Sequence, residues 1–213
     1  MANPNQSKSK EFWSNAALYG VIFTVIFSLV YFFRVRPQQR DDSIRTGYDE
    51  AISTLQNIQG TRGSTREGLS DENLQSLDVA RKAVVAYIAR FPQDANAEIY
   101  LGRIATLQHD NDEAISAYEE AIRLKPDYLT PYEDLGILYS HIALPDEAIE
   151  PLRHAIQLKP EDCHLYTWLG SAYSEVNSWE QALGTYSKCL EVCPGYDVCQ
   201  NGLKRAKRKL GGF

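Results

Sequence analysis

The chain has 213 residues, 44% of them hydrophobic and 23% charged; that is enough for one or two domains with a buried core and too apolar for a disordered chain. Its formal charge of −6 weighs against a general nucleic-acid binder, which needs a basic face to displace phosphate counterions. The total hides an asymmetry, since five of the 22 Lys and Arg lie in the last ten residues.

After a short tail (1–15), residues 16–33 read AALYGVIFTVIFSLVYFF, with no charged side chain. As a helix this run is about 27 Å long, close to the hydrocarbon thickness of a bilayer. Trp13, Tyr19 and Tyr31 stand near its ends, where amphipathic rings favour the headgroup region. A buried core helix is the alternative. A cleaved leader would need small residues after the run, where RVRPQQRDD stands instead. The segment is therefore expected to be a retained single-pass transmembrane anchor. Lys8 and Lys10 precede it, while Arg34, Arg36, Arg40 and Arg45 follow. That bias favours a cytoplasmic (or stromal or matrix-like) side for the C-terminal body.

Residues 34–94 are expected to hold a juxtamembrane helix from Asp41 to Gln59, a loop, GTRGSTREGLS, at 60–70, and a helix from Leu74 to Phe91, for which the juxtamembrane helix is the candidate partner because the loop leaves no other. Ser70 is its candidate N-cap, with Asp71 and Glu72 suited to the positive helix end.

From here a step of 34 residues governs the chain. It separates Pro92, Pro126, Pro160 and Pro194; the Leu-Gly pairs 101–102, 135–136 and 169–170; and Ala80, Ala114, Ala148 and Ala182. Tyr118, Leu152 and Tyr186 keep it too, as do Ala121, Ala155 and Cys189. Leucine and tyrosine on one helix, with alanine and a large apolar residue on the next, form the contact of two antiparallel helices. Glycine costs helix propensity, so a close approach at 102, 136 and 170 is expected. The proline stops the second helix, and stacking buries the face that each hairpin leaves uncovered.

These residues resemble the tetratricopeptide repeat. Tyr132, Leu135, Gly136, Tyr139, Ala148, Leu152, Ala155 and Pro160 carry the pattern best. The first unit departs from it, with Ala105 and Glu98 where aromatics are usual. The resemblance implies an all-α fold: three repeats over 95–194, as a right-handed superhelix of antiparallel hairpins. Residues 74–91 continue the register as a degenerate repeat, and 195–213 form a basic capping helix.

Little in the sequence suggests chemistry. No nucleophile elbow, phosphate loop or paired carboxylates stand in a defined setting, and His109, His141, His154 and His164 are scattered. No enzyme, cofactor or metal site is expected. Cys163, Cys189, Cys193 and Cys199 cluster late. Cys193 and Cys199 flank the Pro194-Gly195 turn, close enough for a disulfide; ordinary thiols and a redox role are the alternatives. A disulfide would imply an oxidising compartment and reverse the topology just given.

The resemblance also implies a binding groove lined by the first helix of each repeat. By repeat position this gives Asn96, Ile99 and Arg103; Thr130, Glu133 and Ile137; and His164, Thr167, Trp168 and Ser171, with Arg205 and Arg208 from the cap. Trp168 is either an exposed aromatic anchor or packed against a neighbouring helix. Family members that grip chaperone tails use a carboxylate clamp. Its positions hold Ile99, Arg103, Asp134, His164 and Trp168 here, and Asp134 would repel a carboxylate. Lys204, Arg205, Lys207, Arg208 and Lys209 suit a soluble end-cap, or contact with anionic lipid or an acidic partner.

The expected function is thus a membrane-anchored scaffold that binds a client peptide or helix during assembly or maturation of a membrane protein complex. One alternative is a permanent structural subunit of such a complex, its anchor packed through Gly20, Thr24 and Ser28. A thiol-dependent maturation factor is another.

Overall fold

The computed structural model describes residues 27–60 and 69–211, and every regular element among them is helical. The chain divides into two units at Gly47. In the first, residues 27–30 are α-helical, Tyr31–Val35 form a π-helical turn, and α1 (Arg36–Gly60) begins. Phe27, Leu29, Val30, Tyr31 and Phe32 are exposed. Of the expected anchor, residues 16–26 lie outside the described residues, as does most of the expected loop at 60–70. Among the described residues no helix is long and apolar enough to cross a membrane.

The second unit starts at Tyr48, within α1. It continues with α2 (Asp71–Arg90), α3 (Ala95–Gln108), α4 (Asn111–Leu124), α5 (Leu129–His141), α6 (Pro145–Leu158), α7 (Cys163–Glu175), α8 (Trp179–Val192) and α9 (Asp197–Gly211). The Ser70 hydroxyl accepts the Asn73 amide at 3.2 Å and starts α2, satisfying one of the free donors of a helix start. The end of α1 gives α2 a partner. Tyr48, Ala51, Leu55 and Ile58 share a core with Leu77, Ala80 and Val84, and the Tyr48 ring stacks on Tyr87 at 3.9 Å between centroids.

Helices α3/α4, α5/α6 and α7/α8 form antiparallel hairpins, and each second helix also packs on the first helix that follows it. The 34-residue step has a direct physical basis. A Cβ added at Gly102, Gly136 or Gly170 would lie 2.6 Å from the nearest side-chain carbon of Tyr118, Leu152 or Tyr186 respectively. Only glycine lets those large side chains lie against the facing backbone. Burying Leu152 fully contributes about 1.5–3 kcal/mol. Ala121, Ala155 and Cys189 are likewise fully buried.

The polar groups repeat as well. Thr106, Ser140 and Ser174 donate to the carbonyls of Gly102, Gly136 and Gly170 at 2.8, 3.0 and 2.8 Å. His109, Ala143 and Asn177, also 34 apart, all close the first helix at φ near 60°. The amide of the following residue then reaches back to the carbonyl of Ala105, Tyr139 or Tyr173 at 2.8–2.9 Å, the hydrogen bond of a left-handed helix stop. Tyr132 and Tyr166 donate to the carbonyls of Pro126 and Pro160 at 3.1 and 2.9 Å. Glu98 occupies the same register position in the first repeat and is buried, so its carboxyl is pushed up, first by burial and then by the Glu120 charge.

Candidate functional site

The first helices of successive hairpins touch one another, α3 to α5, α5 to α7 and α7 to α9, and two grooves open along this row. The smaller, about 310 Å³, is lined by Arg103, Tyr118, Asp134, Ile137 and His141, with Gln59. Its cation is already matched, because Arg103 Nε donates to Asp134 at 2.6 Å. Burial raises the Asp134 carboxyl above its ordinary value, against the opposing pull of that hydrogen bond.

The larger groove, about 650 Å³, runs between α7 and α9. Helix α7 supplies Thr167, Trp168 and Ser171, and α9 supplies Val198, Asn201, Lys204, Arg205 and Arg208. Tyr186 of α8 also lines it, because Gly170 on one side and Gly202 on the other leave room for its ring. Burial pushes the Tyr186 phenol up.

Two disulfides brace this region, each with Cα atoms 6.3 Å apart: Cys163–Cys193 closes the α7/α8 hairpin, and Cys189–Cys199 ties α9 to it. Cys193 and Cys199 are therefore both oxidised but not joined to each other, which corrects the pairing expected across the Pro194-Gly195 turn. The cause lies in the hairpin. Its closure returns the end of α8 to the start of α7, which brings Cys193 to Cys163. Cys189 sits at the small-residue position facing inward, where it meets the fully buried Cys199 of α9.

The other expected groove residues divide. Thr167, Trp168, Ser171, Arg205 and Arg208 are brought together in the larger groove, Arg103 and Ile137 in the smaller. Ile99 is only 3% exposed and belongs to the core with Tyr118 and Leu135, so it is corrected from the partner surface. Its register mates, Glu133 and Thr167, are polar and stay partly exposed; an apolar side chain there turns inward. Asn96 accepts from the Tyr128 hydroxyl at 2.7 Å, and His164 Nδ1 lies 3.1 Å from that of Tyr196. Both residues tie a first helix to the turn after its hairpin. Thr130 and Glu133 line neither groove, and burial chiefly raises the Glu133 carboxyl. Trp168 combines its two readings: it packs partly on the α6/α7 core, meets His141 edge-on at 5.5 Å, and still lines the groove.

In the cap, Lys204 joins Arg205 and Arg208 in the groove, while Lys207 and Lys209 do not line it. Arg205 and Lys209 approach the face of Trp179 at 5.9 and 5.5 Å. Sequence reasoning missed Tyr186, Val198 and Asn201. Gly202, a glycine within a helix, was the available signal. Among the described residues no group of three or more His, Cys, Asp or Glu could hold a metal ion.

Residues 93–161, helices α3 to α6, match the family model for the tetratricopeptide repeat. Solved structures share the fold. A MamA structure has a TM-score of 0.65 at 15% identity, covering 80% of this chain and 84% of its own. YrrB, described as a tetratricopeptide repeat protein with an unusual peptide-binding site, has 0.58 at 17%, covering 66% and 72%. The first tetratricopeptide repeat domain of Spaghetti (RPAP3), bound to the HSP90 peptide SRMEEVD, has 0.52 at 22%, covering 56% and 94%. A comparison with curated protein sequences finds no match. The fold is thus an all-α helical repeat of the tetratricopeptide type.

Proposed function

We propose that this chain is a non-catalytic protein-binding scaffold that holds a client peptide or helix in the α7–α9 groove. The observation that carries the reading is the groove itself: it is open and pairs a half-buried tryptophan with polar side chains and unneutralised cations. The peptide complex of one structure of this fold, and the peptide-binding site described for another, support it. The charge-free run 16–33 supports anchorage to a membrane, and anchorage suits a role in assembling or maturing a membrane protein complex.

The two disulfides favour placing the C-terminal body in an oxidising compartment. Cytosolic reductants keep most thiols reduced, and the opposing bias of arginines after residue 33 is a margin of only one or two charges. The test of client binding is photo-crosslinking from position 167, beside an intact Trp168, in native membranes. The scaffold reading expects capture of a discrete protein from the wild-type surface and loss of that capture when Trp168→Glu is combined with a crosslinker at neighbouring Thr167. Unchanged capture in the variant would remove the groove assignment.

A further inference from the structure

The α7–α9 groove has a charge character that the rest of the first-helix row lacks. Two guanidinium groups and one ammonium, from Arg205, Arg208 and Lys204, line it, and no carboxylate does. The acid at its margin is Glu175, which accepts from Ser171 at 3.2 Å. In the smaller groove the single arginine is matched by Asp134. A chain with net charge −6 thus concentrates unmatched positive charge in one recess, against a wall formed by Trp168, the exposed Val198 and the ring of Tyr186.

We propose that this groove docks an acidic peptide, with carboxylates on Arg205 and Arg208 and an apolar side chain on Trp168 and Val198. The proposal rests on the scaffold reading above and names the chemistry of its client. The spacing agrees. Side chains three apart on a helix have Cβ atoms about 5–6 Å apart, and alternate side chains of an extended peptide are roughly 6.6 Å apart. Two acidic residues separated by one other therefore match the pair. Arginine also binds carboxylates bidentately, which fixes orientation as well as charge. A lipid surface fits less well, since it has no use for the apolar side chains of Trp168 and Val198 that line the groove with these cations, nor would it single them out from the equally exposed Lys207.

The test uses the full chain in detergent micelles. The probe is a short fluorescein-labelled peptide with two glutamates separated by alanine and flanked by leucines; its glutamine counterpart is the comparison, read by anisotropy. The glutamate peptide is expected to bind with an affinity that falls as salt rises. Binding should drop more than about tenfold in the Arg205→Glu/Arg208→Glu variant, with Lys207→Glu close to wild type. Far-UV circular dichroism checks that both variants keep their helix content. Equal binding of the two peptides, no binding of either, or equal loss in Lys207→Glu overturns the proposal. So does binding to phosphatidylglycerol vesicles that the arginine variant abolishes while peptide binding persists. If the glutamine peptide binds and only Trp168→Glu removes it, the groove stands as a scaffold site and the acidic assignment alone falls.

Discussion

Ala143 closes α5 at φ 60°, a conformation that costs a residue with a Cβ about 1–2 kcal/mol. His109 and Asn177 occupy the same stop in the neighbouring hairpins, and asparagine tolerates it better than alanine does. The Ala143 side chain is exposed, so little packing compensates. Ala143→Gly should therefore stabilise the protein by about 0.5–1 kcal/mol, after the larger unfolded-state entropy of glycine is deducted. Chemical denaturation would show this as a higher midpoint with an unchanged slope. A lower midpoint would mean that the stop is held by contacts of the alanine methyl. None of this is visible in the sequence, where Ala143 is an ordinary residue between an isoleucine and a leucine.

At the scale of elements, α9 is bound to the last hairpin by both packing and covalency. Cys199 and Ala206 are fully buried against it, and the Cys189–Cys199 bridge crosses that contact. Removing the bridge with Cys189→Ala/Cys199→Ala should cost about 2–4 kcal/mol and loosen the helix that carries the groove cations. Thermal unfolding followed by circular dichroism would report the first effect. Faster tryptic cleavage within residues 204–209 would report the second. A variant with the wild-type midpoint and cleavage rate would show that packing alone holds the cap. The helix α2 makes a related point about legibility. Its register and Ser70 cap are plain in the sequence because they are local, and its pairing with the preceding helix is legible from the want of a helix at 60–70. Which side chains meet, Tyr48, Leu55 and Ile58 with Leu77 and Val84, is set by tertiary packing.

For the whole molecule, the repeat is legible because each fixed residue answers to a packing constraint that recurs every 34 positions. Gly102, Gly136 and Gly170 are in phase for that reason. The α7–α9 groove was only half legible, because its second glycine, Gly202, stands two residues ahead of the register position, Lys204. The shift follows the change from a full hairpin to a single closing helix. Repeat position likewise assigned Ile99 to the surface, where residue type decided otherwise. The cysteines show the same limit: spacing along the chain suggested one short loop, whereas helix pairing set two longer-range bridges. Their compartment is open to measurement. Maleimide-polyethylene glycol added to freshly lysed cells should shift the chain only after a reductant is supplied, and labelling without reductant would place the body on a reducing side.

The two bridges overlap in sequence, the first spanning Cys163 to Cys193 and the second Cys189 to Cys199. A single backbone break anywhere from Cys163 to Cys199 therefore leaves at least one sulfur–sulfur link between the two pieces. The terminal part of the spiral can be nicked without shedding its end.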